Sequence, residues 1–189
     1  MIHGLRADPA ARRVWTEVQG QLGTSPEQIY GYGAVFDAIL LLHRGQAPEA
    51  LARMAPEPGE VWKSVTWVWL HWYVALRAEA AVLAGSPGAR VHLTEARIVV
   101  AGNTVAEAMV RRAEALLDGD QRTLLAVADA FDAAGCRYQS ARTLVLAGGV
   151  EAARGVAELG NLGLTPAAAM AGREDVRTAR PVGAVPPAG

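Results

Sequence analysis

Apolar residues recur along the chain at helical spacing, in short stripes separated by capping and helix-breaking residues. The longest stripe lies in residues 61–85, VWKSVTWVWLHWYVALRAEAAVLAG. At about 100° per residue, Trp62, Val65, Trp69, Trp72, Tyr73, Leu76, Ala80 and Leu83 share one broad face, while Trp67, Val74, Ala78 and Ala81 point largely the other way. A helix apolar on both sides is buried between neighbours, so this segment is expected to form the central helix. Its uncharged run, 64–76, is shorter than the roughly 20 apolar residues a membrane span needs, and Arg77 and Glu79 interrupt it.

Start and stop signals divide the rest. Asp8-Pro9 reads as a cap with proline at the first helical position, followed by a stripe of Val14, Trp15 and Val18 up to Gly20. Ser25-Pro26, with Gln28 placed for a capping box, opens a helix to Gly45 that buries Tyr32, Phe36, Ile39 and Leu40. Gly31 and Gly33 each cost about 1 kcal/mol in a helix interior, which implies close packing or a later start near Gly33. Pro48 opens a short partner helix before the breaker-rich Pro56-Glu57-Pro58-Gly59. After the tryptophan segment, Ser86-Pro87 starts a helix with Val91, Ile98 and Val99 on its apolar side, ending at Gly102. Thr104 and Glu107 form a capping box for a helix over 105–117, and Asp120 caps a successor with Leu124, Val127, Ala128 and Phe131 inside. Helices over 138–146 and 150–159 follow, split by Gly148-Gly149, and Thr165-Pro166 could open a last turn.

No segment has the alternation of a strand. The expected fold is all-α, with antiparallel hairpins stacked as a short solenoid. Residues 1–171 are expected to form one helical-repeat domain, and the Arg-, Pro- and Gly-rich 172–189 a disordered tail. The repeat shows in Gly45, Gly85 and Gly135, each of which closes an apolar helix and precedes an alanine-containing one. Such alternation of small and large residues lets two helices approach closely and stack on the next pair.

Composition narrows the function. A net charge of -1 with interspersed signs argues against direct binding to nucleic acid or an anionic membrane. Lys63, the sole lysine, has no glycine loop before it to make a phosphate cradle. Cys136 alone allows neither an intrachain disulfide nor a cysteine-rich zinc site. With no apolar leader in the opening residues, a cytoplasmic location is expected.

Chemistry-bearing residues are sparse. His92 and Glu95, three apart on one helix, could face one metal, and His71 lies on the tryptophan segment. A metal site needs about four ligands and no second such pair appears, so these are read as packing or surface residues, and no metal or cofactor is expected. Cys136 is read as a small apolar residue at a helix start, and Arg111-Arg112-Ala113-Glu114 as a solvated face. Trp62, Trp67, Trp69 and Trp72 are the candidate partner- or ligand-binding residues, Trp67 above all because it faces away from the richer aromatic side.

LRAEAAVLAG, AGNTVAEAMVRRAEALL and DGDQRTLLAVADAFDAAGCRYQSARTLVLAGG, with GYGAVFDAILLLHRGQAPEALARM upstream, resemble the tetratricopeptide-like C-terminal region of large actinobacterial ATP-binding regulators of the LuxR type and of related adenylate-cyclase-associated ATPases. The resemblance covers residues 30–164 and implies a helical scaffold that binds a partner or effector in signalling. Neither the phosphate loop of their ATPase part nor their helix-turn-helix occurs here, so ATP hydrolysis and DNA binding do not carry over. The expected function is non-catalytic protein–protein interaction, the expected partners being another protein or a second copy of the chain. The alternative is a small-molecule sensor with its pocket beside the tryptophan-rich helix.

Overall fold

Residues 32–61 and 67–165, with positions 10, 13, 14, 17 and 18 besides, are described by a computed structural model. Asn103 and Asp120 show how the sequence sets its helix starts. The Asn103 side chain accepts from the Ala106 amide at 3.1 Å, and Asp120 accepts from the Thr123 amide at 3.0 Å and the Thr123 hydroxyl at 2.6 Å. The first cap falls one residue earlier than Thr104. Asparagine takes the capping role threonine was expected to fill, and Glu107, now at the fourth helical position, closes no capping box but accepts from the Gly102 amide at 2.8 Å. At the far end Gly119 adopts φ 70°, and the Asp120 amide reaches back to the Ala115 carbonyl at 2.8 Å, a left-handed stop that a side chain would strain.

Positions 10, 13, 14, 17 and 18 are helical, and from residue 32 on the described helices are α1 (Tyr32–His43), α2 (Ala47–Arg53), α3 (Pro58–Val61), α4 (Trp67–Leu83), α5 (Ala89–Val99), α6 (Thr104–Asp118), α7 (Gln121–Ala133), α8 (Arg137–Ala147) and α9 (Gly149–Asn161), with no strand among the described residues. Each long helix packs on the next in sequence. In addition α1 packs on α4, α4 on α6, and α6 on α8. Helices α1, α4, α6 and α8 thus form a first layer, and α2, α5, α7 and α9 each pack against it. The ends of the first layer also meet: His43 at the end of α1 lies against Tyr138 of α8, with ring centroids 5.8 Å apart, and Leu40 packs on the cluster of Ala141, Val145, Leu159 and Leu164.

α4 is the central helix, buried on all sides from Tyr73 to Ala81, as its two-sided apolar pattern predicts. α5 is turned differently from expectation. It buries Ala89, Leu93 and Ala96, while Val91 and Ile98 are 59% and 75% exposed. Val99 is half-buried against the core, and Val91 and Ile98 are left outside. Ser86 does not cap this helix; its hydroxyl accepts from the Gly88 amide, and the helix begins at Ala89. α8 and α9 are in close contact at Gly155, where a Cβ would lie 2.6 Å from the Ala141 carbonyl oxygen and 2.7 Å from the Val145 nitrogen. The expected helix start at Ser25, the last turn after Thr165 and the tail over 172–189 lie outside the described residues.

Candidate functional site

Three helices of the first layer carry charge into the core. Glu79 of α4 is fully buried between Arg112 of α6, at 2.6 Å, and Arg142 of α8, at 2.5 Å. Arg112 also donates to the Gln139 side chain at 2.8 Å and the Thr143 hydroxyl at 3.1 Å, and its guanidinium lies 5.2 Å from the Phe131 ring centroid. Burial alone would raise the Glu79 pKa, but the two arginines outweigh it and hold the carboxyl below the ordinary range. The cluster carries one carboxylate and two guanidinium groups, and Nε and Nη2 of Arg142 have no hydrogen-bond acceptor among the described residues.

This arrangement corrects the reading of Arg112 as part of a solvated face. Arg111 is exposed, but Arg112 is wholly buried. The signal was its place beside the stripe of Ala106, Met109, Val110 and Ala113, which α6 turns inward.

His43 adjoins the cluster. Its Nε2 lies 3.0 Å from the Thr165 carbonyl, which can only accept, so Nε2 carries the hydrogen and Nδ1 is left to accept from the Tyr138 hydroxyl, 3.4 Å away. Burial, followed by the charges of Arg142 and Arg44, lowers its pKa against the contribution of the Thr165 bond. The imidazole is therefore neutral at neutral pH.

A second feature lies on the outside. Pro48, Leu51, Ala52 and Ala55 of the α2 segment, at helical spacing i, i+3, i+4 and i+7, face Arg77, Ala84, Ser86 and His92 across an open cleft of about 450 Å³. Its apolar wall exists because alanines stand where larger side chains would fill it. The polar edge is Arg77, which is buried yet grips the carboxylate of Glu57 with two hydrogen bonds of 2.9 and 2.6 Å. Glu57 is held in place by its backbone: the Tyr73 hydroxyl donates to the Pro56 carbonyl at 2.8 Å. The Arg77 hydrogen bonds hold the Glu57 carboxyl below its usual range, with the charges of Arg77 and His92 adding to this.

Of the tryptophan candidates, Trp69 and Trp72 are half-buried against the main core, and Trp69 meets Phe36 edge-on at 5.2 Å. Trp62 and the Trp67 side chain lie outside the described residues. Neither Trp69 nor Trp72 lines the cleft, which sits further along α4. His71 Nδ1 is 3.1 Å from the Asn103 side-chain nitrogen Nδ2, and His92 Nδ1 is 3.7 Å from Glu95. Among the described residues no group of three or more histidine, cysteine or acidic side chains is placed to hold a metal. Cys136 is the half-buried residue preceding α8 and packs against the core. No described helix is long and apolar enough to cross a membrane.

Comparison with known protein families, curated proteins and solved structures returns no match.

Proposed function

We propose that this chain is a non-catalytic helical-repeat module of tetratricopeptide type that acts by holding a protein partner in a signalling or transcriptional regulatory setting. The observation that carries the reading is the packing order. Each helix of the row α1, α4, α6 and α8 touches the next, and each hairpin partner packs on that row, as in stacked helical pairs; the row differs from an open stack in that α1 also meets the α8–α9 end. The layer's inner charges, Glu79, Arg112 and Arg142, are enclosed in the core, so binding is assigned to its outer surfaces. On α5, Val91 and Ile98 lie seven apart on one solvent-facing side, an apolar pair suited to a partner helix.

The experiment is co-purification from the producing cell, followed by titration of the purified candidate partner. Ile98→Asp should weaken binding at least tenfold without changing the circular dichroism spectrum. Turnover of a substrate that is lost in His92→Ala would overturn the reading.

A second reading, a small-molecule sensor, is favoured by one observation. The cleft of about 450 Å³ falls within the size range of small-molecule sites and combines an aliphatic wall with a buried arginine.

A further inference from the structure

We infer that the cleft between α2 and the α4–α5 corner binds a small carboxylic acid with an aliphatic body, and that Glu57 occupies the head-group position in its absence. The inference rests on the sensor reading and specifies its ligand.

The wall formed by Pro48, Leu51, Ala52, Ala55 and Ala84 is aliphatic and contains no aromatic ring. Its ligand is therefore one that gains from losing water rather than from stacking. At one edge the wall ends on Arg77, whose guanidinium geometry matches a carboxylate held by two parallel hydrogen bonds. Glu57 demonstrates that geometry, with Oε2 accepting from Nη1 and Oε1 from Nη2. Arg77 Nε, a buried atom, has no hydrogen-bond acceptor among the described residues, and His92 Nδ1, beside it in the cleft lining, has only the Glu95 carboxylate at 3.7 Å. Ser86 Oγ and His92 Nε2 flank Gly88, at 3.8 and 3.9 Å from where its Cβ would stand, so both polar groups belong to one corner of the cleft.

The two members of the ion pair differ in exposure. The Arg77 side chain is almost fully buried, whereas that of Glu57 is 62% exposed. A buried cation left without a counter-charge is costly, but exchange of one carboxylate for another never leaves Arg77 alone. Glu57 moves into water, the ligand's carboxylate takes its two hydrogen bonds, and the ligand's body covers the wall. Glu57 is thus an internal competitor at high effective concentration, and it excludes ligands that bring an acid group but no apolar body.

Octanoate is the probe, measured by isothermal titration calorimetry on the full chain, with 1-octanol and octylammonium as the same body carrying no charge or the opposite one. Glu57→Gln should bind octanoate at least tenfold more tightly than the wild type, and octanol and octylammonium at least tenfold more weakly than octanoate. Arg77→Gln should lose octanoate binding. Because that variant could also lose its fold, Ala52→Phe, at an exposed position on the wall, serves as a second block and should abolish binding with an unchanged circular dichroism spectrum. The inference is overturned if Glu57→Gln binds octanoate no better than wild type, if octanol binds as well as octanoate, or if Ala52→Phe binds undiminished. Any of these leaves the protein-partner reading to its own co-purification test.

Discussion

Glu79 and Arg112 meet at 2.6 Å with neither side chain exposed to water, and they join α4 to α6 at the point where Arg142 brings in α8. A buried ion pair of this kind contributes little against a well-packed apolar alternative, because desolvation offsets the attraction. Removing one member is different, since the others remain buried and unpaired. Glu79→Leu should cost about 3–5 kcal/mol in urea unfolding. The triple replacement Glu79→Leu, Arg112→Met, Arg142→Met should recover most of that loss, which a simple sum of three losses would not allow.

His43 makes stability depend on pH. Its folded pKa is lowered from 6.5, so the folded state favours the neutral ring. The contribution is fully present above the unfolded value near 6.5 and is lost as pH falls through the lowered folded value. Glu57 and Glu79, also lowered, lose their contributions only at more acid pH, below the ordinary carboxylate value. Urea midpoints at pH 7 and pH 5 should therefore differ in the wild type and differ less in His43→Gln, which keeps a donor for the Thr165 carbonyl but does not titrate.

Gly155 and Gly160 both lie in α9, and alanine at the two should act in opposite directions. At Gly155 the new methyl meets the backbone of α8, and such overpacking costs about 1–3 kcal/mol. At Gly160 nothing lies within 4 Å, and alanine should stabilise by about 0.5 kcal/mol through helix propensity. Thermal unfolding of the two variants separates a packing requirement from a mere helix break.

Asn103 holds the start of α6 and also touches His71 of α4. Asn103→Ala should cost about 0.5–2 kcal/mol in chemical denaturation, and Thr104→Ala, on an exposed first-turn residue, should change little.

The helices were legible because their signals are local. Asp120 caps and Gly135 stops what they were expected to cap and stop, and the apolar stripe of Leu124, Val127, Ala128 and Phe131 is buried. The rotation of α5 was not legible. Val91 and Ile98 belong to the β-branched stripe of the segment, but packing against the neighbouring helices buries Ala89, Leu93 and Ala96 instead, and that choice depends on elements outside the segment. The core charges were hidden for the same reason. Glu79, Arg112 and Arg142 are far apart in sequence, and each read separately resembles an ordinary surface residue until the layer α4, α6, α8 brings them together. The cleft depends on Ala52 and Ala55 being small opposite Arg77, a relation between elements that no single stripe records.

Binding without chemical change is the central claim. The most direct measurement takes whatever protein or small molecule co-purifies with the chain from its producing cell, adds it back to fresh protein at saturating concentration, and follows both by mass spectrometry over hours. Recovery of the bound species at its original mass, with saturable and reversible binding, is the predicted result. A new mass that accumulates in proportion to the protein added would contradict the account.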